Sequence, residues 1–501
     1  MMDPSLKRTE PGPPSPSQIL EARREKLARL RESGVNPYPA SSPISEGRLT
    51  SEEFRARFGG LATGGESPDS VRFCGRLTNR REMGKASFAH VQDFTGKVQI
   101  YVRSDAVGDA AYRSFTKDLD LGDILGTEGR PFRTKTGELS IRAEKIVLLT
   151  KSLRPLPEKW HGLKDVETRA RQRELDLISN PESREVFLTR SRVIACLRSI
   201  LSGAGYLEVE TPMMQPVPGG AVARPFETFH NALGTKFYLR VAPELYLKRC
   251  LVGGFEKVFE IGRVFRNEGI DTLHNPEFTI LEAYESYGNM ESMVALTENL
   301  VAGTAEKLGM ESLARRPFQR KTVAGLFREH AGADAAAFVE KQDWAGLAGR
   351  SGSADLSEVH KAFDRVFTEK IAPNLAGPVF VTDFPVDFSP LAKRRDGSET
   401  VAERFELYIG GEELANAYSE LNDPEEQRTR LEAYRRSRVS ASEKEESEGM
   451  GTDAAFLAAL EQGMPPAGGL GIGVDRLVML FTRQGSIRNV LLFPTLRPEK
   501  D

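Results

Sequence analysis

The sequence predicts an α+β fold in which a small five-stranded barrel precedes a large antiparallel sheet. Short alternating segments separated by turn signals occupy residues 68–150, which is typical of a small barrel. Longer alternating strands follow, centred on residues 236–242, 256–267, 277–287, 379–388 and 403–420. Because helices do not alternate regularly with these strands, the pattern favours an antiparallel sheet over a doubly wound parallel one.

The composition is that of a globular protein with two or three cores. The 501 residues are 39% hydrophobic and 28% charged, which excludes a collagen-like chain and a wholly disordered one. Lys and Arg total 69 against 72 for Asp and Glu. This near balance argues against indiscriminate binding to nucleic acid, although it allows a local basic face.

Cysteine usage and the lack of long apolar runs indicate a cytoplasmic protein. Cys74, Cys196 and Cys250 are odd in number and far apart, as expected of reduced thiols. The N-terminus lacks the apolar core of a signal peptide, and no apolar run reaches the roughly 18 residues of a membrane span. We therefore predict no membrane partner.

Changes in composition divide the chain into segments. Residues 1–17 are rich in Pro and Ser and are predicted to be a disordered tail. Residues 18–67 form an N-terminal helical arm, whose basic residues are either a solvated face or a contact for an RNA backbone. The barrel at 68–150 is followed by a Pro- and Gly-rich linker at 151–180 and by a second domain at 181–501.

The stretch FRNEGIDTLHNPEF lies between two alternating strands and is rich in charged and aromatic residues. With a period of two, Phe278, Ile280, Glu282 and Tyr284 share one face of the second strand. If the two strands form a hairpin, this face meets Arg266 and creates a site rather than a core. The alternative is a set of ordinary cross-strand pairs on a solvated face, worth about a few tenths of a kcal/mol each.

The stretch ERFELYIGGEELANAYSELND carries a second group of acids. Glu406 and Glu413 are seven residues apart, so they face opposite ways in one unbroken strand. A turn at Gly410 and Gly411 lets both carboxylates converge on a magnesium ion, which prefers hard oxygen ligands. Beyond the turn, one strand face carries Asn416, Tyr418 and Glu420.

A glycine-rich stretch, GGLGIGVDRLVMLFT, follows near the C-terminus. Its glycines allow close backbone approach to a ligand, Asp475 is placed to cap the following helix, and Arg476 projects from the first turn. The spacing G-x-G-x-x-R does not match a dinucleotide-binding fingerprint. Taken alone, such a turn has a structural role more often than a ligand-binding one.

Together these segments resemble the three signature motifs of the class II aminoacyl-tRNA synthetases. YLEVETPMMQPVPGGAVARPF is similar to motif 1, FRNEGIDTLHNPEFTILEAY to motif 2 and GLGIGVDRLVML to motif 3. The strings GGAVARPF, APELYLKR, HNPEFT, SPLAKR and NAYSELNDP resemble those of the lysyl-tRNA synthetases, and the resemblance covers residues 18–498. It implies an antiparallel catalytic sheet flanked by helices, an OB-fold barrel that binds the anticodon, and a homodimer formed partly through motif 1.

The resemblance also implies roles for individual residues. Arg266 is the expected catalytic residue, because its guanidinium would bridge the lysine carboxylate and the α-phosphate of ATP. The residues expected to bind lysine are Gly220, Glu244, Arg266, Glu282, Tyr284, Asn416, Tyr418 and Glu420. Those expected to bind ATP are Arg266, Glu268, His274, Phe278, Gly473 and Arg476, and those expected to bind Mg²⁺ are Glu406 and Glu413.

Two residues of this set would meet the side chain of the substrate, and one position outside the set departs from the family pattern. Glu420 and Tyr284 would receive the side-chain ammonium of lysine, a group that needs acceptors only. Leu273 departs from the pattern, since many bacterial members carry a basic residue immediately before the histidine of motif 2. The resemblance therefore shifts the γ-phosphate contact to His274 or Arg476.

In the barrel, the stretch RREMGKASFAHVQDFTGKVQIYV is similar to the anticodon reader of the family. The resemblance implies that Arg81, Phe88 and Gln99 stack on and hydrogen-bond the central uridine of the anticodon, with Glu138 nearby. Stacking on an exposed aromatic ring is how such barrels commonly bind unpaired bases. The alternative is that Phe88 is buried inside the barrel.

We therefore expect an enzyme that uses ATP and Mg²⁺ to attach L-lysine to its tRNA through a lysyl-adenylate. Two alternatives stay open: an enzyme that attaches lysine to a translation factor, and a catalytically silent RNA-binding homologue. The barrel argues against the first, because that relative resembles only the catalytic domain. Arg266, Glu406, Glu413 and Arg476 together argue against the second.

Overall fold

The computed structural model describes residues 15–157, 163–221, 223–347, 356–438 and 453–499. The chain divides into two compact units, Met1–Gly162 and Leu163–Asp501. Most of the predicted tail at 1–17 lies outside the described residues, and the first helix already begins at Pro16. In the part of the chain that is described, no helix combines the length and apolar character that crossing a membrane requires.

The N-terminal unit contains the predicted barrel. Its helices are α1 (Pro16–Glu32), α2 (Ser51–Phe58), α3 (Ser104–Val107) and α4 (Asp109–Lys117). Its strands are β1 (Val71–Met83), β2 (Ala86–Gln92), β3 (Lys97–Arg103), β4 (Ile124–Arg133) and β5 (Leu139–Thr150). They close in the order β1-β2-β3-β5-β4, which confirms the five-stranded barrel. On β3, Val98, Ile100 and Val102 are buried inside, so the polar residues between them face outward.

The helical arm packs against the barrel through its basic side chains. Arg23 is buried and donates to the carbonyl oxygens of Leu121 and Ser152, each at 3.0 Å. Lys26 forms an ion pair with Asp120 at 2.6 Å. These contacts show that α1 is not simply a solvated charged face, because part of its charge holds the arm to the barrel.

The C-terminal unit is built around a large sheet. Its strands are β6 (Leu207–Glu208), β7 (Met214–Gln215), β8 (Glu227–His230), β9 (Thr235–Leu239), β10 (Lys257–Phe265), β11 (Glu277–Ser286), β12 (Gln319–Thr322), β13 (Val379–Thr382), β14 (Arg404–Ile409), β15 (Glu412–Ser419) and β16 (Ala467–Gly473). Its helices are α5 (Val166–Arg171), α6 (Arg173–Ser179), α7 (Pro181–Gly203), α8 (Glu244–Val252), α9 (Met290–Lys307), α10 (Glu311–Ala314), α11 (Val323–His330), α12 (Ala333–Lys341), α13 (Trp344–Leu347), α14 (Leu356–Val366), α15 (Pro424–Arg438), α16 (Ala454–Glu461) and α17 (Val474–Thr482).

The large sheet has eight strands in the order β12-β13-β14-β15-β16-β11-β10-β6. All pairs from β13 to β10 are antiparallel, as predicted. The two edge pairs, β12 with β13 and β6 with β10, are parallel. A parallel pair needs a long crossover, and helices lie between the two strands of each edge pair in the chain.

Two predicted strands differ from the structure. The segment expected at 236–242 is β9, and it belongs to a separate three-stranded sheet of order β7-β9-β8. A tight turn, in which the Gly234 N–H donates to the His230 carbonyl at 2.9 Å, pairs β9 with β8 instead of with the large sheet. The segment expected at 379–388 ends at Thr382, because Asp383 has a φ of 66° and breaks the strand.

The stretch expected to be a linker, residues 151–180, contains α5 and α6. Arg173 is buried, contacts Asp176 at 2.6 Å and donates to the carbonyl oxygen of Leu492 at 2.9 Å. These bonds tie α6 to the end of the chain, so the second part of the predicted linker belongs to the C-terminal unit. Residues 158–162 lie outside the described ranges.

The two faces of the large sheet have different surroundings. One face packs into the main apolar core, where Phe259, Leu281 and Leu470 meet Leu197 of α7 and Leu300 of α9. Because side chains alternate along a strand, the residues between them point to the opposite face. That second face carries the polar residues singled out from the sequence.

Candidate active site

The predicted hairpin forms between β10 and β11. Its register pairs Val264 with Phe278. The connecting loop begins at Arg266, whose N–H donates to the carbonyl oxygen of Pro276 at 2.8 Å. This turns the side chain of Arg266 back over the strand, with its guanidinium carbon 5.1 Å from the centre of the Phe278 ring.

The polar face of the sheet forms a cavity of about 410 Å³, a size typical of small-molecule sites. The predicted residues that line it are Gly220, Glu244, Arg266, Glu268, His274, Phe278, Glu282, Tyr284, Glu413, Asn416, Tyr418, Gly473 and Arg476. Glu406 and Glu420 are buried and do not line the cavity themselves, but each lies next to a lining residue: Glu420 Oε1 is against Gly469, and Glu406 pairs with Asn416. Because Glu282 and Tyr284 are only 4% and 3% exposed, these are not pairs on a solvated sheet face.

Three buried carboxyl groups, those of Glu244, Glu282 and Glu420, gather at one side of the cavity. The Tyr284 hydroxyl donates to Glu282 Oε2 at 2.9 Å, and the Tyr418 hydroxyl donates to Glu244 Oε1 at 2.7 Å. Burial raises the pKa of Glu282 to about 8, and the negative charge of Glu244 adds to the effect. This side of the cavity therefore suits a cation.

Sequence analysis missed one member of this cluster, Lys248. Its side chain is fully buried, with Nζ 2.6 Å from Glu244 Oε1 and 2.5 Å from Glu420 Oε2. Both oxygens of Glu420 are buried without a well-oriented hydrogen bond among the described residues, and Oε2 has only the ion pair with Lys248. A signal for the first contact was present, because Lys248 follows Glu244 by four residues on α8.

Two glycines give the backbone its shape around this cluster. A Cβ at Gly469 would lie 1.8 Å from Glu420 Oε1 and 2.6 Å from Tyr284 Cε1, so β16 needs glycine there. Gly220 has a φ of 87°, a conformation that favours glycine, and a Cβ there would lie 3.2 Å from that of Glu244. Both glycines keep the backbone close to the carboxyl cluster.

Positive groups gather at the other side of the cavity. Burial lowers the pKa of Arg266, and the charge of Glu268 opposes this effect. Arg266 Nε is buried without a hydrogen-bond partner among the described residues. Arg476 donates to the carbonyl oxygen of Glu413 at 2.7 Å and lies 3.3 Å from His274 Nε2. These guanidinium groups suit a phosphate or a carboxylate.

The loop of the hairpin contains a further residue that the sequence analysis did not select. Asp271 accepts the N–H groups of Leu273 and His274 at 2.7 and 2.8 Å, and its carboxylate lies 2.9 Å from His274 Nδ1. Such Asx turns are a known signal of aspartate in loops. Asp271 therefore orients His274, while Leu273 lines the cavity and packs against the main core.

The predicted turn between the two acids is present. Gly410 and Gly411 have φ values of 63° and 83°, and Glu413 returns on the neighbouring strand. Burial raises the pKa of Glu406 to about 7, Arg404 opposes this, and the charge of Glu413 adds to it. Glu406 and Glu413 are thus close enough to repel each other, which a shared cation would relieve.

The donor set at these acids fits a magnesium ion that also contacts phosphate. No group of three or more His, Cys, Asp or Glu residues that could hold a metal is found in the described parts of the chain. Magnesium is commonly bound by one or two carboxylates plus substrate phosphates, so two acids suffice. Glu406 is already held by the Arg404 guanidinium at 2.5 Å and the Tyr408 hydroxyl at 2.8 Å, which fixes its orientation.

Comparisons with known proteins agree with this arrangement. A family profile described as tRNA synthetases class II (D, K and N) matches residues 165–497, and one described as OB-fold nucleic acid binding domain matches residues 71–149. The chain belongs to the class II tRNA synthetases. The predicted family and the predicted fold class are therefore confirmed.

The relatives of this synthetase cover nearly its whole length. A protein named Lysine--tRNA ligase from Pelotomaculum thermopropionicum is 48% identical and matches 97% of the synthetase and 96% of its own chain. A protein of the same name from Carboxydothermus hydrogenoformans is also 48% identical and matches 96% of the synthetase and 98% of its own chain. Another, from Moorella thermoacetica, is 48% identical and matches 97% of the synthetase and 99% of its own chain.

The prediction that Asp475 caps the helix that carries Arg476 is wrong. Asp475 does not cap α17 of the synthetase, since Gly473 stands at the N-cap and no side chain bonds there. Asp475 instead accepts the Thr279 N–H at 2.6 Å and an Arg190 nitrogen at 2.5 Å. This long-range link ties α17 to β11 and α7, which fixes the first turn of the helix beside the cavity.

The predicted anticodon residues of the synthetase lie on adjoining strands of the barrel. Phe88 pairs with Arg81 on β1 and with Tyr101 on β3, and the Phe88 and Tyr101 rings stack at 4.5 Å. Phe88 is half-buried on the outer face, between inward-pointing Ser87 and Ala89. The alternative that Phe88 is buried inside the barrel is therefore wrong.

The remaining two anticodon residues lie at one edge of this face. Gln99 accepts a hydrogen bond from the Ser140 hydroxyl at 2.8 Å, and Glu138 is exposed immediately before β5. Tyr101 was not among the predicted anticodon residues, although it shares the face of Gln99 in the alternating strand. Its ring extends the aromatic surface to Phe132, 6.0 Å away.

Proposed function

We propose that this synthetase attaches L-lysine to its cognate tRNA through a lysyl-adenylate. The observation that carries the proposal is the buried cluster of Glu244, Glu282 and Glu420, which offers acceptors to ammonium groups. An amino acid with an acidic side chain would need a cation free to meet it there, but Lys248 is already engaged by two of the carboxylates. The relatives named Lysine--tRNA ligase support the same substrate.

In the first step, a carboxylate oxygen of lysine attacks the α-phosphorus of ATP, and pyrophosphate leaves. Glu244 and the Gly220 carbonyl receive the α-ammonium, and Glu420 and Tyr284 receive the side-chain ammonium. Arg266 contacts both the carboxylate and the α-phosphate, so its fixed charge stabilises the negative charge that develops as the bond forms. No protein nucleophile is required.

The nucleotide is held at the positive side of the cavity. Phe278 stacks on adenine, Arg476 and His274 contact the γ-phosphate, and Gly473 allows close approach of the backbone. Leu273 lines the cavity with an apolar side chain that cannot bind phosphate. His274 and Arg476 therefore make the contact with the γ-phosphate. Glu268 and Asn416 complete the polar lining.

Magnesium is the cofactor that the acid pair favours. Glu406 and Glu413 would hold the ion, with phosphate oxygens of ATP as further ligands. When bound, the ion neutralises charge on the phosphates and orients pyrophosphate as the leaving group. The structural support is the turn at Gly410 and Gly411, which brings Glu413 back on the strand beside that of Glu406 and places Glu413 at the cavity.

In the second step, the terminal adenosine of the tRNA attacks the carbonyl carbon of lysyl-adenylate through its 3′-hydroxyl, and AMP leaves. In this proposal no side chain acts as the general base, and a phosphate oxygen of the adenylate takes the hydroxyl proton. The barrel contributes recognition, because Arg81, Phe88 and Gln99 lie on adjoining strands and Glu138 lies immediately before β5.

We also propose that the synthetase is a homodimer in the cytoplasm. Large apolar side chains are exposed along and after the motif 1 stretch: Leu207, Met213, Met214, Phe229 and Leu233, with exposures of 46% to 64%. Exposed apolar groups that lie close together in the chain favour a protein interface. The free state of Cys74, Cys196 and Cys250 supports a reducing compartment.

The purified protein should catalyse exchange between ATP and labelled pyrophosphate when L-lysine is present. Exchange requires only the first step, so it tests the cavity without tRNA. Aspartate and asparagine serve as comparators, because enzymes of the same family profile act on them. Exchange driven by either of them in place of lysine would overturn the proposed substrate.

Replacing Phe88 by Ala should weaken charging of lysine tRNA about tenfold to a hundredfold, because stacking on one base contributes about 1 to 3 kcal/mol. Lysine-dependent pyrophosphate exchange should stay at the wild-type level, since the ring lies in the barrel unit. The matched control is Phe94→Ala, an exposed barrel aromatic outside this face. Equal charging by wild type and Phe88→Ala would contradict the role in anticodon binding.

A further inference from the structure

Lys248 holds an unusual position in the proposed lysine pocket. Its ammonium is fully buried between Glu244 and Glu420, at 2.6 and 2.5 Å, and lies 5.6 Å from the centre of the Tyr418 ring. A buried ammonium group is costly unless it is paired, so this side chain is unlike the solvated lysines of the surface. No step of the proposed reaction uses it.

The charges around Lys248 can be counted from its contacts. Glu244, Glu282 and Glu420 supply three buried carboxyl groups, and Lys248 supplies one positive charge. The neighbouring acid, Glu260, is compensated by its own partner Arg240 at 2.5 Å. With all groups ionised, two negative charges remain uncompensated, which equals the number of ammonium groups on L-lysine.

We propose that Lys248 is a specificity-determining positioning residue, a built-in counter-charge that sets the pocket to accept two ammonium groups. The inference rests on the proposed lysine site. It assigns Lys248 two tasks: its ammonium pairs with Oε2 of Glu420, and its charge favours the ionised form of Glu420, which can only accept hydrogen bonds.

The electrostatics of the cluster support both tasks. Burial disfavours the charged form of Lys248, but Glu244 and Glu420 outweigh it and raise the pKa of Lys248. Burial raises the pKa of Glu420 to about 8, and Lys248 is the main opposing influence. Other titratable and charged groups that face these residues are Glu282, Tyr284, Tyr418, Glu260 and Arg240.

These contacts predict the direction in which loss of Lys248 changes the pKa of Glu420 and the binding of lysine. Without Lys248, the pKa of Glu420 rises further, so more of the pocket is protonated at pH 7. A protonated carboxyl must lose its proton before it can receive an ammonium, which weakens lysine binding at pH 7. Raising the pH restores the ionised form, while the side-chain ammonium of lysine, with a pKa of about 10.4, stays charged. The α-ammonium loses its proton at lower pH in wild type and variant alike, so each KM is compared with that of the wild type at the same pH.

The test is Lys248→Met in the full-length protein, which keeps the length of the side chain and removes its charge. We expect the KM for lysine in pyrophosphate exchange to rise about tenfold or more at pH 7 and to fall towards the wild-type value by about pH 9. The KM for ATP should change less than about twofold. The matched control is Lys257→Met. Lys257 also forms an ion pair with a glutamate, Glu285, at 2.7 Å, but neither residue lines the cavity.

Several outcomes would overturn the inference. One is an unchanged lysine KM in Lys248→Met; another is an equal rise in both KM values without pH dependence, as expected of a purely structural residue. Glu420→Gln separates this inference from the proposed function. If Glu420→Gln raises the lysine KM and Lys248→Met does not, only the inference fails; if neither variant raises it, the proposed lysine site fails.

Two further measurements keep the inference testable if Lys248→Met does not fold. Lys248→Arg preserves the charge, and its lysine KM should stay within about fivefold of wild type; a larger rise in a variant with the wild-type Tm would contradict the proposal. Calorimetry in two buffers counts the protons that lysine releases at pH 7 from the wild-type protein and from Lys248→Arg. Because both side chains carry the same charge, we expect the two numbers to agree within about half a proton, and a larger difference would contradict the proposal.

Discussion

Replacing Arg266 by Ala should lower lysine-dependent pyrophosphate exchange about a hundred- to a thousandfold, because a fixed charge aimed at the developing transition-state charge is lost. The side chain is half-buried and lines the cavity, its Nε has no hydrogen-bond partner among the described residues, and its guanidinium lies over the Phe278 ring. The main effect should fall on kcat, since the contact with the α-phosphate strengthens as the new bond forms.

Arg263→Ala is the control for this experiment. Arg263 lies on the same strand, is 41% exposed and contacts Glu277 at 3.6 Å, without lining the cavity. Its replacement should leave the exchange rate within about twofold, since exposed ion pairs contribute little. Full exchange by Arg266→Ala would remove the catalytic role assigned to Arg266.

Replacing Gly469 by Ala should raise the KM for lysine about a hundredfold. The added Cβ would lie 1.8 Å from Glu420 Oε1 and 2.6 Å from the Tyr284 ring. Neither neighbour can move freely, because Glu420 is paired with Lys248 and Tyr284 donates to Glu282. Overpacking of a tight site costs about 1 to 3 kcal/mol, and here it displaces the groups that receive the ammonium.

The Gly469→Ala experiment measures the KM for lysine and for ATP in pyrophosphate exchange, together with Tm. The KM for ATP should change less than about threefold, because the nucleotide groups lie at the other side of the cavity. Gly485→Ala is the control, since nothing lies within 4 Å of its Cβ position. An unchanged lysine KM in Gly469→Ala would exclude Glu420 and Tyr284 from lysine binding.

Much of the fold follows from local patterns. Alternation along β3 accounts for Val98 and Ile100 inside the barrel, and the same alternation predicted Phe278 and Tyr284 on one face of β11. The turn at Gly410 and Gly411 was also evident from the sequence, because two adjacent glycines allow positive φ. Such features depend on neighbours in the chain, so the sequence contains their signals directly.

Other features depend on partners that are far apart in the chain. Nothing near Asp475 shows that it accepts from Thr279 and Arg190 rather than capping its own helix. Similarly, β9 has the alternation expected of a strand, but only its pairing with β8 places it outside the large sheet. Alternation fixes which way side chains point and leaves open which strand lies alongside.

The sequence by itself determined the α+β class, the five-stranded barrel, and the set of acids, arginines and aromatic residues that meet at the cavity. The class and the barrel follow from periodicity and turn residues, whereas the full set of site residues follows from the resemblance to the class II synthetases. Only the tertiary structure decided that Lys248 lies buried between Glu244 and Glu420, and that Gly469 leaves no room for a side chain beside them. The physical reason is that charge compensation and steric fit depend on distances between residues that the chain brings together only by folding.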